Sequence, residues 1–383
     1  MLKKVFPYLI FSILLVINML SLEIYTDYLS YQQIAKATYI VIGAFCTVMS
    51  FQTRHEYSKF HGWLLLFYLV LLVSSPFSNH FNQIYSCSFV LLSYFVGFYL
   101  SSNGSLNNKN WLFLLISISA IVLYDFYTQI TLISATRGFD EMGGQNISYK
   151  IVGLMLLASV FLKDIKAVAL MCLYFILVLF CFKKGAVVCG LAMLLVVFYY
   201  HFRKNKKYKK LAVAIFAVGG LYILTNLEFF FRRFFAYRDN FGSNARDIMY
   251  SKIIDEWSHS SLFQFLFGGG FFHASDINYF GGANNDGFYA HSDFYEMISD
   301  FGLIGIVLYL ILLLSACKST KVTDNPYLRY IQYPLLAVWL FKAYFSGVYT
   351  TFAGYFILLT FGFIHGKDTY EKNHLLYSEE VAN

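Results

Sequence analysis

His291 is a candidate general base because it directly precedes an apolar segment of helical length. The stretch from His291 to Gly305 reads HSDFYEMISDFGLIG, so the imidazole would lie at the outer lip of a membrane helix. Asp293 and Glu296 have the spacing of a capping box, and Gly302 with Gly305 would let a neighbouring helix approach closely. An imidazole at the boundary of water and lipid is well placed to take a proton from a hydroxyl. The alternative is a surface histidine that merely lies beside a helix cap.

Several basic residues could neutralise a negatively charged leaving group near this histidine. Lys183 and Lys184 form a very tight turn that the charge pattern places outside the membrane, and Lys342 lies in an otherwise apolar segment, near its outer end. Further candidates among the outward cations are Arg232, Arg233 and Arg246. Cations of this kind stabilise charge that develops on a leaving group. As alternatives, the paired arginines could anchor an aromatic-rich surface helix, and Lys342 could extend its ammonium to the interface.

These residues must be positioned by helices that cross a membrane. The chain of 383 residues is 58% hydrophobic and 13% charged, whereas soluble domains carry about a quarter charged residues. Apolar segments of roughly the 17–25 residues needed to span a bilayer recur along it, and in lipid they must be helical. We predict an all-α, polytopic membrane protein: one transmembrane domain over residues 1–383 with about twelve transmembrane helices. The predicted spans are Phe6–Leu22, Ile34–Phe51, Phe60–Ser74, Ile84–Ser101, Asn110–Ile130, Ser148–Leu162, Ala167–Phe182, Gly185–His201, Leu211–Asn226, Asp293–Cys317, Tyr327–Val348 and Thr351–Ile364.

The charge distribution predicts that both ends of the chain are cytoplasmic. Basic residues concentrate in alternate connections, most of all in Arg203–Lys210, whereas the outer loop Ser75–Gln83 has no lysine or arginine, as the positive-inside rule requires. The long connection 227–292 then lies in the periplasm. Within it, Arg246–Phe267 has apolar residues at helical spacing, which predicts an amphipathic helix on the membrane surface. A glycine run and the turn-rich segment Asp276–Gly287 follow.

A metal site in the long outer loop is a rival interpretation of the same histidine. Its candidate ligands would be His259, His273, Asp276, Asp286, His291 and Asp293. No HExxH or equivalent ligand spacing is present, and the six cysteines include no CxxC pair, which argues against a thiolate site or a disulfide framework. We therefore expect neither a metal nor a cofactor.

The sequence resembles the O-antigen ligase/O-antigen polymerase superfamily of bacterial surface-polysaccharide enzymes. That family has His, then Asn, Ser or Gln, then nine residues, then Gly-x-x-Gly, and the matching residues here are His291, Ser292, Gly302 and Gly305. Arg246 resembles the arginine that opens the family's periplasmic amphipathic helix, residues 268–272 resemble the glycine-rich end of that helix, and residues 144–146 resemble an earlier Asn-containing step. The Lys183–Lys184 turn departs from the family, which usually has Arg after Ser there. Lysine binds phosphate as a point charge and without the bidentate fork of arginine.

The resemblance implies a metal-independent, inverting glycosyltransferase of the bacterial inner membrane. Its donor would be an undecaprenyl-pyrophosphate-linked oligosaccharide and its acceptor a glycan hydroxyl at the periplasmic face. His291 would act as general base, and Arg246 with Lys183 or Lys184 would hold the donor pyrophosphate, with Arg232, Arg233 and Lys342 as further candidates. A chain-length regulator protein is a further candidate partner, and no nucleic acid is expected, because the basic residues are explained by topology.

Two activities of this family fit the motif, and a transporter is a third hypothesis. A composition rich in Phe, Tyr, Asn and Lys, typical of AT-rich polysaccharide clusters, favours a polymerase of O-antigen or related repeat units. The alternative is an O-antigen ligase, which joins the glycan to lipid A-core by the same chemistry. A flippase for the lipid-linked oligosaccharide would predict inverted repeats and midplane charges, whereas no repeat is evident and the cations cluster at one face.

Overall fold

The structure is a computed structural model that describes most of the chain. The described residues are 2–20, 29–52, 56–104, 108–137, 147–162, 164–181, 183–204, 246–279 and 290–382. Four predicted features therefore lie outside them: the span Leu211–Asn226, the arginines Arg232 and Arg233, the 144–146 step and the loop aspartate Asp286.

Every regular element in these described ranges is helical. The α-helices are α1 Leu2–Leu20, α2 Leu29–Gln52, α3 Ser58–Ser74, α4 Gln83–Ser102, α5 Asn108–Arg137, α6 Ile147–Phe161, α7 Asp164–Phe180, α8 Lys184–Lys204, α9 Arg246–Ser258, α10 Leu262–Phe267, α11 Asp293–Val322, α12 Pro326–Phe345 and α13 Phe352–Ala382. Two short 3-10 helices, Ser75–Phe77 and His273–Ser275, complete the set. The predicted all-helical class is confirmed for this part of the chain.

Eleven of the predicted spans coincide with α1–α8 and α11–α13. Among the described residues, six helices are long and apolar enough to cross a membrane. They contain Gln33–Gln52, Ser58–Phe77, Gln83–Ser102, Asn110–Thr131, Lys184–His201 and Asp293–Val322. Three more, in α1, α6 and α7, are apolar but shorter. Neither α12 nor α13 qualifies by composition, because α12 carries Arg329, Gln332 and Lys342 and α13 becomes polar in its second half.

The centre of the bundle is the contact between α4 and α13. Every residue from 353 to 366 of α13 is buried. The two backbones approach each other at glycines: a Cβ on Gly97 would lie 2.4 Å from the Leu359 carbonyl oxygen, and one on Gly362 would lie 2.0 Å from that of Tyr94. Small residues allow close contact between membrane helices. In lipid the hydrophobic effect does not drive helices together, so close packing is a main source of stabilisation.

Gly302 divides α11 into two parts. Its backbone is non-helical, with φ 61° and ψ −150°, and a Cβ here would lie 2.6 Å from the Phe265 carbonyl oxygen of α10. The predicted role of a close-approach glycine is therefore right, but the neighbour is the short loop helix α10. Gly305 differs from the prediction, because its Cβ would meet the side chain of Phe301 in its own helix at 2.2 Å. The 20 residues that follow the kink, 303–322, are about 30 Å long, the thickness of the hydrocarbon core.

The predicted amphipathic helix Arg246–Phe267 is broken into α9 and α10. Ser261 ends the interruption by capping α10, its hydroxyl accepting the Gln264 backbone N–H at 3.3 Å. One face of α9 is buried through Met249 and Ile253, which pack on Ala274, Tyr279 and Ala290. The outer face of α10 exposes three large apolar side chains, Leu262, Phe263 and Phe267, as a helix on a membrane surface requires.

Candidate functional site

His291 lies immediately before α11 in a left-handed backbone conformation. Its φ is 56°, which is uncommon for a residue with a Cβ and is found where surrounding structure enforces it. The buried Glu296 carboxyl provides one such constraint by accepting the His291 backbone N–H. The residue nevertheless keeps part of its surface open to solvent. The backbone is thus fixed while the side chain stays accessible to a substrate.

Asp293 anchors the start of α11 to two other elements. Its Oδ1 accepts the Val348 backbone N–H at 2.7 Å, and its Oδ2 accepts the Tyr309 hydroxyl at 2.5 Å. The Trp339 indole N–H donates to the same tyrosine oxygen at 3.4 Å. The predicted capping box is therefore wrong: Ser292 is the N-cap residue without a side-chain cap, and the carboxylate bonds to the turn between α12 and α13.

Buried acids before the kink of α11 share one role, which is to accept backbone N–H groups. Asp293 accepts from Val348 and Glu296 from His291. Asp300 accepts from Phe272 at 3.0 Å and from Ala274 at 2.9 Å. Each of these bonds pairs a buried donor with a buried acceptor, and leaving such groups unpaired would be costly. These acids therefore tie the loop after α10 and the turn after α12 to the first part of α11.

Arg246 and Lys342 approach this region from two helix ends. Arg246, the first residue of α9, donates from Nη1 to the Phe345 carbonyl oxygen at 2.6 Å, at the C-terminus of α12. Lys342 lies one turn before that terminus, only 3% exposed. Its Nζ donates to the Ser346 hydroxyl at 3.0 Å and lies 4.1 Å from the Tyr149 ring centroid. Lys342 is thus enclosed by protein groups near the end of α12.

Lys183 lies in the short connection between α7 and α8, and Lys184 is the first residue of α8. The Lys183 side chain is half-buried, whereas that of Lys184 is exposed. Gly185 lets this turn press against α6, since a Cβ there would lie 2.4 Å from the Tyr149 hydroxyl. The same tyrosine therefore contacts the lysine turn and supports Lys342.

Four of the predicted site residues, His291, Arg246, Lys183 and Lys342, lie within electrostatic range of one another. Burial, followed by the positive charges of Arg246, Lys183 and Lys342, lowers the pKa of His291 below its ordinary value. Burial and the Arg246 charge likewise lower the pKa of Lys183. Lys342 is in turn within electrostatic range of Lys183 and Arg246. A neutral imidazole beside three cations is suited to take a proton while an anion binds next to it.

A second buried charge cluster lies near the first turn of α6, and the sequence reasoning missed it. The Lys150 Nζ contacts the Asp125 Oδ2 at 2.7 Å, and the Gln129 amide donates to Oδ1 at 3.0 Å. Lys150 also lies 5.4 Å from the Phe352 ring centroid. The sequence signal for this cluster is Asp125, an acidic residue inside the apolar span of α5. Charges within membrane segments are rare and are usually paired or functional.

Three of the proposed metal ligands, His273, His259 and Asp276, have other partners in the structure. His273 pairs with Glu256 at 3.1 Å, and His259 lies 3.2 Å from Asp255. Asp276 pairs with His80 at 2.8 Å. Within the described part of the chain, no three His, Cys, Asp or Glu side chains are grouped as metal ligands.

Comparison with known proteins adds no family assignment. No protein-family model matches the chain, and no curated protein shows significant sequence similarity to it.

Proposed function

We propose that the protein polymerises repeat units of O-antigen or a related surface polysaccharide. It would transfer glycan from an undecaprenyl-pyrophosphate donor to an acceptor sugar hydroxyl at the periplasmic face of the bacterial inner membrane. The observation that supports this most is the convergence of His291 with Arg246, Lys183 and Lys342 at the ends of membrane helices. That arrangement combines a base with a site for a doubly charged leaving group.

The proposed reaction needs one proton acceptor and one anion site. The acceptor hydroxyl oxygen attacks the anomeric carbon of the donor as His291 takes the hydroxyl proton. The bond from that carbon to the pyrophosphate oxygen breaks, and the lipid pyrophosphate leaves with the electron pair. Attack from the face opposite the leaving group inverts the anomeric centre. No step requires a metal, because Arg246 and the two lysines supply the positive charge that stabilises the departing pyrophosphate.

The cations in this proposal differ in how they can bind phosphate. Arg246 can present a planar fork to phosphate oxygens, although one of its nitrogens already binds the Phe345 carbonyl. Lys183 and Lys342 act as point charges, and Lys342 is held in place by Ser346 and the Tyr149 ring. Lys342 lies in the last turn of α12, so a bound pyrophosphate would be level with a helix end and the polyprenyl chain could remain in lipid.

The low pKa of His291 supports its assignment as the base. A cationic imidazole cannot accept a proton, and the three nearby positive charges disfavour that form. The same charges would be neutralised when a pyrophosphate binds. The pKa of His291 would then rise toward its ordinary value, which strengthens the imidazole as a base when the donor is present.

A transfer assay on the purified protein tests the activity and separates the alternatives. The protein is reconstituted without an ion gradient and given the undecaprenyl-pyrophosphate-linked repeat unit as both donor and acceptor. A polymerase produces a ladder of lipid-linked oligomers. Product that forms only when lipid A-core is added identifies a ligase. Absence of any glycan transfer under both conditions, with the donor instead moved across the bilayer, would reject the proposal in favour of a transporter.

A further inference from the structure

A cleft in the periplasmic loop region lies apart from the cation cluster. It is formed by α9, α10, the segment 269–277 and one side of α11, and it has a volume of about 310 Å³. The residues that decide its chemistry are Glu256, Trp257, Gln264, His273 and Ser299. None of these is used in the proposed transfer reaction.

Polar groups of four kinds line this cleft, namely a carboxylate, an imidazole, an amide and a hydroxyl. Glu256 and His273 form a pair at 3.1 Å, and each remains partly exposed, by 49% and 29%. Gln264 adds an exposed amide. Ser299 is only 6% exposed, and its hydroxyl has no hydrogen-bond partner in the protein. A buried hydroxyl without a partner is costly, so a ligand in the cleft that reaches Ser299 would gain stability by supplying the hydrogen bond.

Trp257 gives the cleft an apolar wall of fixed orientation. Phe265 stacks on the indole at a centroid distance of 4.4 Å and an angle of 11°. The indole N–H is already used, since it donates to the Phe265 carbonyl oxygen at 2.9 Å. The ring therefore offers apolar surface and no further hydrogen bond to a ligand.

The polar loop residues are held in place by the same glycine run that ends α10. Gly269 donates its backbone N–H to the Ser299 carbonyl oxygen at 2.9 Å. A Cβ on Gly269 would lie 2.1 Å from the His273 ring. A glycine at 269 thus brings the imidazole of His273 close to the side of α11 that carries Ser299.

From this combination we infer that the cleft binds an uncharged sugar residue of the glycan. A sugar ring has an apolar C–H face that fits an indole, and a rim of hydroxyls that donate to a carboxylate and exchange hydrogen bonds with amide, imidazole and hydroxyl groups. The carboxylate of Glu256 disfavours a phosphate or an acidic sugar in the same place. The number of polar groups disfavours an acyl chain.

The position of the cleft assigns it to a sugar away from the reacting bond. Ser299 follows Asp293 by six residues, which is about 9 Å along the helix. This inference rests on the proposed function, in that the glycan donor or acceptor is the ligand. Binding energy from such a remote contact helps to position the reacting end of the chain.

The first test measures binding without catalysis. One-repeat oligosaccharide is prepared from the surface polysaccharide of the strain that carries the gene and is titrated into the full-length protein in nanodiscs. Saturation-transfer NMR or calorimetry gives the Kd. Glu256→Gln and Ser299→Ala should each weaken binding about tenfold, since each removes a hydrogen bond from a built site. Asp247→Asn, an exposed acid of α9 outside the cleft, should leave the Kd unchanged.

Two results would overturn the sugar site. They are an absence of oligosaccharide binding to the wild-type protein, and an unchanged Kd in both cleft variants. Thermal unfolding of each variant shows that it is folded, and Trp257→Phe keeps an aromatic wall as a conservative comparison. The transfer assay separates the two proposals. If His291→Ala abolishes transfer while neither Glu256→Gln nor Ser299→Ala changes the Kd or the KM, only the cleft inference fails. If oligosaccharide binds the cleft but no transfer occurs, only the proposed function fails.

Discussion

Replacing Asp293 by alanine should destabilise the protein and lower its activity. The carboxylate accepts two hydrogen bonds in a fully buried position, from the Val348 backbone N–H at 2.7 Å and from the Tyr309 hydroxyl at 2.5 Å. Alanine leaves both donors buried without this acceptor. Because these bonds fix the start of α11, the loss also reaches His291, two residues earlier.

The magnitude follows from the two orphaned donors. Each buried group left without a partner costs about 1–3 kcal/mol, which gives a range of about 2–6 kcal/mol. The substitution also removes the desolvation cost of the buried carboxyl group. We therefore expect a loss of unfolding free energy at the low end of this range, about 2–3 kcal/mol. Asn should cost less, about 1 kcal/mol, because its oxygen can still accept from Val348 while its amide donates to the Tyr309 oxygen.

The assay is equilibrium unfolding in mixed detergent micelles, followed by tryptophan fluorescence. Trp339 is a suitable reporter because its indole N–H donates to the Tyr309 oxygen of this network. Asp255→Ala is the matched control, since the Asp255 side chain is 77% exposed and its loss should change the unfolding free energy by less than about 0.5 kcal/mol. The reasoning fails if Asp293→Ala is as stable as that control, or if Asn is as damaging as Ala.

Three further substitutions test other parts of the account. Lys183→Gln should move the acid limb of the pH–rate profile to higher pH. Removing the positive charge lets the pKa of His291 rise, so the imidazole becomes protonated at a higher pH and is lost as a base. An unchanged acid limb would contradict the electrostatic coupling of the two residues. Asp125→Asn should lower the unfolding free energy by about 3–5 kcal/mol because it breaks a buried ion pair, and adding Lys150→Met should recover part of the loss. Gly302→Ala should cost about 1–3 kcal/mol, seen as a lower melting temperature, because its φ is 61° and a Cβ would lie 2.6 Å from an α10 carbonyl oxygen; unchanged stability would refute this.

The helices could be predicted from the sequence because hydrocarbon imposes a simple rule. Apolar runs must be helical where they cross a bilayer, and the eleven predicted spans within the described residues are all helices. The same rule says little about which helix lies at the centre. α13 is less apolar than its neighbours, yet it has a completely buried stretch. The glycines at 97 and 362 allow α13 to pack closely against α4.

The acids of α11 show where sequence reasoning reached its limit. Local spacing made Asp293 and Glu296 a capping box, but their partners are Val348, 55 residues away, and the His291 backbone. A spacing rule considers only neighbours along one helix. Burial determines the partners here, because a buried carboxyl group needs hydrogen-bond donors and accepts from whichever donors the fold places beside it.

The cation cluster could be anticipated only in part. The sequence signals are a pair of lysines predicted to face outward and one lysine in an apolar segment, which depart from the usual charge distribution of membrane proteins. Their mutual approach depends on Tyr149, which touches Lys342 and, through Gly185, the lysine turn. A tyrosine in an aromatic-rich membrane protein carries no sequence signal for such a role. The roles of Arg232 and Arg233 stay predictions, because both residues lie outside the described part of the chain.

The most direct test of the central claim is the single-turnover rate of glycan transfer by purified His291→Ala. The donor is the undecaprenyl-pyrophosphate-linked repeat unit, and the variant is first shown to be folded and to bind donor like the wild type. Loss of a general base should slow transfer by about 10²–10⁴-fold. A rate equal to that of the wild-type protein would show that His291 is not the base and that the converging cations serve another purpose.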